Sequence, residues 1–139
     1  MLINYSRVLD DMQYFNAADM KHIPKSGGIY VFFDVEFTCL YVGESENLNA
    51  RVKSSMRRTK REETRQPEHI FILPEPDETE RIIVEFLLLR RFAPLYNVLG
   101  ATLSETQRKE VQARPPAIHD IADLKIIAGL TTQKENPNE

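Results

Sequence analysis

One cysteine, Cys39, stands in the 139 residues, so no disulfide can form within the chain. That scarcity fits a reducing compartment. Cys39 lies in an apolar, strand-like run, where a thiol is far more often buried than reactive. No apolar run approaches the ~20 residues that a bilayer-spanning helix needs, so no membrane partner is expected. The opening residues, Met1 to Arg7, lack a basic stretch followed by an apolar core. No secretory signal is predicted, and the expected location is cytoplasmic or nucleoid-associated. The five glycines form no phosphate-cradling loop, and cysteine and histidine fall in no zinc spacing. Internal repeats and low-complexity tracts are lacking as well.

What is present is ordinary for a single soluble domain: 42% hydrophobic and 28% charged residues, in a chain long enough to bury its own core. The net charge of −3 argues against a large nucleic-acid footprint. Its distribution is uneven. Residues 51–66 carry seven Lys or Arg and two Glu. Within that run Lys53, Arg57, Arg58, Lys60 and Arg61 are candidate phosphate contacts. Such a run serves equally well as a solvated helix end and loop.

Leu2, Val8, Leu9, Met12 and Phe15 have near-helical spacing, which predicts a short helix over about 3–12 followed by a polar turn. Pro24 and the pair Gly27-Gly28 punctuate a loop. Val31, Phe32 and Phe33, then Phe37, Thr38, Tyr41 and Val42, read as two strands joined through Asp34-Val35-Glu36. Gly43 breaks the pattern, and Ser45 or Asn47 caps a helix over about 47–58. Leu48, Val52 and Met56 form its buried stripe. Residues 59–67 read as an exposed loop. His69 to Leu73 reads as a third strand, halted by Pro74 and Pro76. Asp77 caps a largely apolar helix that runs to about Arg91 and is ended by Pro94. Beyond Gly100, the Ser104-to-Gln107 capping box opens a polar helix to about Ala113. A last short helix spans Ile118 to Ile127, and 131–139 reads as a flexible tail.

The stretch Gly28–Arg51 carries the chemistry. Tyr30 and Tyr41 sit near the ends of paired strands, which brings two phenols to one surface. Arg51, about one turn into the following helix, reaches the same place. A guanidinium forks onto anionic oxygens, and a phenol donates or accepts a proton, so the set suits a phosphodiester. Glu85 interrupts the apolar helix. A carboxylate there needs a partner: Arg81, Arg90, solvent on the remaining face, or a cation.

Gly28-Ile29-Tyr30, Tyr41-Val42-Gly43, Arg51, Glu85 and Pro94-Leu95-Tyr96-Asn97 occur in the order of the GIY-YIG nuclease superfamily, which the chain resembles over roughly 26–98. The ending, with Glu85 and Pro94-Leu95-Tyr96-Asn97, is similar to that of the repair-incision members. The resemblance implies an α+β fold with a small three-stranded antiparallel sheet flanked by helices. Residues 1–25 would add an N-terminal helix and loop, and 99–130 a C-terminal helical extension. It further implies a DNA endonuclease with catalytic Tyr30, Tyr41, Arg51 and Glu85, where either phenol serves as the base. Glu85 would bind one Mg²⁺ or Mn²⁺. Gly28, Gly43 and Asn97 would support the site, Asn97 by bracing its loop. At Glu44 many relatives carry Lys or Gln, and at Ser55 some carry an aromatic residue or His. A carboxylate at 44 either repels a phosphate or adds a ligand or base. This keeps a second reading open: a weak or inactive module that binds nucleic acid or a protein. A homodimer or larger nuclease complex, joined through the chain beyond Gly100, is a third.

Overall fold

Six consecutive residues that alternate between two apolar faces set the architecture. In a computed structural model of the protein, which describes residues 5–96 and 118–130, Gly28–Phe33 forms a strand, β2, that is buried along its whole length. Strand side chains point to opposite faces in turn. Ile29, Val31 and Phe33 therefore enter one core, while Tyr30 and Phe32 enter another. A strand buried on both faces must be central.

The neighbours of β2 are β3 (Cys39–Ser45) and β4 (His69–Pro74), both antiparallel. The Asp34–Thr38 turn makes the first pairing short-range. Asp34 Oδ1 accepts from the backbone N–H groups of Glu36 and Thr38 at 3.0 and 2.9 Å. A fourth strand, β1 (Gln13–Asn16), pairs with the far edge of β4, and the order is β1-β4-β2-β3. The antiparallel α+β class stands; the sheet is one strand wider than the three expected. Gln13-Tyr14-Phe15-Asn16 does not alternate cleanly and reads as a turn. Its pairing with β4 satisfies the backbone groups that β4 would otherwise leave bare at the edge. The Tyr14 hydroxyl and His69 Nδ1, 2.7 Å apart, add a side-chain tie.

The segment before β1 is a 3₁₀ helix, Tyr5–Asp11, rather than an α-helix, and a second 3₁₀ helix spans Ala17–His22. Helix α1 (Leu48–Glu62) covers the Tyr30 face of the sheet. Asn47 caps it by accepting from the Ala50 N–H at 3.2 Å, and Ser45 Oγ in turn accepts from the Asn47 N–H at 3.0 Å. The helix continues four residues past its expected end. Buried Thr59 bonds back to the Ser55 carbonyl at 2.8 Å, and Lys60 and Arg61 suit the negative end of the dipole. Helix α2 (Glu78–Phe92) covers the other face, capped by Asp77 and ended by Ala93 in the left-handed region at φ 44° just before Pro94. Helix α3 (Ile118–Ile127) matches the expected last helix, and Leu124 reaches the α2-side core. The polar helix expected over 104–113, Asn97 and the tail from 131 lie outside the described residues. Among the described residues no helix is long and apolar enough to cross a membrane.

Candidate active site

The site is built at the β3 edge of the sheet. β3 continues through Ser45 rather than stopping at Gly43, so Gly43 and Glu44 are strand residues. Tyr30 lies directly opposite Gly43 in the β2–β3 register. Its ring covers the glycine so closely that a Cβ there would stand 2.5 Å from Tyr30 Cζ. Gly43 is thus the floor on which the ring lies. Gly28 has a related constraint: a Cβ would stand 2.4 Å from the Leu73 carbonyl oxygen and 2.7 Å from a Leu48 methyl.

The two phenols converge. The Tyr30 and Tyr41 rings stack with centroids 5.6 Å apart and planes 17° from parallel. Tyr30 is fully buried and shares a 3.0 Å hydrogen bond with Ser55 Oγ on α1. Burial, then the neighbouring Tyr41 phenol, push the Tyr30 pKa far above the ordinary tyrosine value; Ser55 and Arg51 only partly oppose this. Tyr30 is therefore protonated at neutral pH. Tyr41 is only half-buried, and the Arg58 guanidinium lies 5.3 Å from its ring centroid.

Alternation places Glu44 on the α2 side of β3, where Glu85 arrives from the helix. Glu85 is half-buried and accepts a hydrogen bond from the Glu44 backbone. Burial, then the Glu44 carboxylate, raise its pKa above the ordinary carboxylate range, against the lowering effect of the Glu44 backbone bond and Arg51. Arg51 is exposed on α1 and acts electrostatically on both Tyr30 and Glu85. In both it is the smallest of the effects.

Arg81 has a role that the sequence did not suggest. It pairs with Glu44, not Glu85: Arg81 Nε donates to Glu44 Oε2 at 3.0 Å. Its Nη1 donates to the carbonyls of Pro76 and Glu75 at 2.8 and 3.3 Å. Glu44 is therefore neutralised from behind, which moderates the repulsion that a carboxylate at this position would direct at a phosphate. The spacing of four residues between Arg81 and Glu85 favours the pair that the sequence suggests; the actual partner, on β3 across the helix–sheet contact, is 37 positions away and invisible locally. Replacing Arg81 with Met leaves two carbonyls and a carboxylate short of a donor. A loss of about 2–3 kcal/mol is expected, measured by urea denaturation; a change under about 0.5 kcal/mol would refute the anchoring role.

A family model for the UvrC-like GIY-YIG domain matches residues 26–98. The chain belongs to the UvrC-like GIY-YIG family. Curated relatives of this GIY-YIG domain are UvrABC system protein C from Ruegeria sp. (strain TM1040), 38% identical over 86 residues, and from Hydrogenovibrio crunogenus, 32% identical over 94. The matches cover 59% and 64% of this chain but only 14% and 15% of those proteins. Among solved structures, the GIY-YIG N-terminal endonuclease domain of UvrC from Thermotoga maritima, bound to magnesium, is similar with a TM-score of 0.48 and 22% identity. That match covers 57% of this chain and 91% of the other.

In this GIY-YIG domain the basic residues are spread along α1: Arg57, Lys60 and Arg61 are exposed, while Lys53 and Arg58 are half-buried. Asn97 follows the last described residue of its loop. That loop is tied to β3 by N–H groups of Leu95 and Tyr96, which donate to the Cys39 and Leu40 carbonyls at 3.0 and 2.8 Å. Cys39 is buried and its thiol pKa is raised by burial, so it is packing, as its apolar setting suggested. Among the described residues no three His, Cys, Asp or Glu side chains gather into a metal cluster. A cation here would take Glu85 as its donor, with the Glu44 carboxylate beside it. That donor fits a hard ion: it is partly desolvated, faces a second carboxylate, and carries only the Glu44 backbone donor as a specific bond.

Proposed function

We propose that this domain is an endonuclease that hydrolyses DNA phosphodiesters, with one Mg²⁺ or Mn²⁺ held by Glu85, water and a substrate phosphate. The carrying observation is the stacked pair of phenols, Tyr30 and Tyr41, at the β3 edge, with Glu85 half-buried beside Glu44 of the same strand. A phosphate seated at this edge would meet the accessible Tyr41 phenol, with Arg51 and Glu85 supplied by the flanking helices. When bound, the cation would supply Lewis-acid stabilisation of charge on the phosphate oxygens. Arg51 stabilises the same developing charge. Tyr30, protonated and without accessible surface, positions the Tyr41 ring by stacking on it. Tyr41, the more accessible phenol, would accept the water proton at its oxygen while its own hydroxyl proton passes on to the leaving oxygen. Water attacks phosphorus, the bridging P–O bond breaks, and the leaving oxygen gains a proton. Exposed Arg57, Lys60 and Arg61 would hold the backbone beyond the scissile bond.

The test is a cleavage panel of plasmid, branched and single-stranded DNA with Mg²⁺ or Mn²⁺. Arg51→Ala should reduce cleavage by about 10²–10³-fold, the scale of losing one transition-state donor. Equal activity in the Arg51→Ala and Glu85→Ala proteins and the parent would refute the proposal. Salt-sensitive DNA binding with no turnover in any arm would instead establish the binding-module reading, which the Glu44 carboxylate at the site favours.

A further inference from the structure

We propose that the outer face of α2 is a self-complementary surface on which a second copy of this chain docks in antiparallel orientation. Ile82, Ile83 and Phe86 are 49%, 40% and 38% exposed. Single exposed apolar residues are common, but three adjacent large ones on one helix mark a contact surface. Four-residue steps place Glu78, Ile82, Phe86 and Arg90 on one ridge of the helix. The ridge begins acidic, is apolar in the middle and ends basic. The Arg90 guanidinium lies 5.9 Å from the Phe86 ring centroid.

That order of charges selects the partner. Turn a second copy about a two-fold axis through the middle of the ridge, and Glu78 of one copy meets Arg90 of the other while Ile82 meets Phe86. Each contact is then made twice, as an isologous interface requires. Packing of four-residue ridges against each other is also the commonest way for two helices to cross. A parallel arrangement would set Glu78 against Glu78 and Arg90 against Arg90. Nucleic acid suits the ridge poorly, since Asp77, Glu78 and Glu80 crowd its first turn and would repel phosphates. The inference does not depend on nuclease activity. It moves the expected self-association from the chain beyond Gly100 to α2.

Sedimentation velocity on the full chain, from about 1 to about 200 µM, covers the range in which a small interface associates. The expected result is a concentration-dependent dimer that Phe86→Asp weakens at least tenfold. Glu78→Arg and Arg90→Glu should each weaken it alone. Mixing those two single variants, or combining both changes in one chain, should restore it. A monomer throughout the range, a dimer indifferent to Phe86→Asp, or charge reversals that fail to rescue each other would overturn the proposal. So would a Phe86→Asp protein that loses DNA affinity with no change in its state of association.

Discussion

Glu85→Gln is expected to lower cleavage by at least about a hundredfold while making the protein more stable at neutral pH. The two effects share one cause. The fold raises the Glu85 pKa, first by burial and then through the Glu44 carboxylate. A carboxyl whose folded pKa exceeds its unfolded one binds its proton more tightly in the native state. It therefore costs the fold nothing below the unfolded value, about 4.3 for Glu. The cost grows as pH rises toward the folded value and is complete above it. Glutamine keeps the shape and an oxygen that can accept from the Glu44 backbone, but removes the charge. Thermal melts should show the Gln protein ahead of the parent at pH 7 and level with it near pH 4. A Gln protein that is less stable at pH 7 would mean that Glu85 is a satisfied structural residue.

The sequence carried local information well and cross-strand information poorly. Asn47 and Asp77 were legible as caps because capping acts within three residues. The two strands around Asp34 were legible because β-branched and aromatic residues fill them. The fourth strand was not, since β1 is recruited by the open edge of β4 rather than by its own pattern. The members of the candidate site were named through their order in the chain, yet their electrostatics were not. Arg81 reaching Glu44 instead of Glu85 depends on which face of β3 each residue occupies. The extent of β3 is hidden as well, because Gly43 looks like a strand end when viewed alone. Tyr30 explains why it is not one: the glycine is required by a ring lying across it, not by a turn.

That account makes Gly43→Ala the sharpest structural test. Gly43 is not among the residues with positive φ, so alanine meets no backbone obstacle, and by restricting the unfolded chain it would stabilise by about 0.4–1 kcal/mol. The ring decides otherwise. A Cβ would lie 2.5 Å from Tyr30 Cζ, 2.6 Å from its hydroxyl oxygen and 2.8 Å from Cε1. Tyr30 has no accessible surface, and Tyr41 and Phe32 pack on it with centroids 5.6 and 5.4 Å away. The ring has to move, at about 1–3 kcal/mol for overpacking, with about 1 kcal/mol more if the Ser55 bond is lost. The net expectation is a loss of about 1–3 kcal/mol, together with a drop in cleavage of about a hundredfold, because a shift near 1 Å in a positioning group is enough. Tyr30→Leu removes the obstruction, so in that background Gly43→Ala should cost less, and a double-mutant cycle by urea denaturation should give a coupling of at least about 1 kcal/mol. If the alanine costs the same with and without the ring, the glycine is conserving strand backbone and not Tyr30. The candidate site would then lose the packing contact that fixes its buried phenol beneath the strand edge.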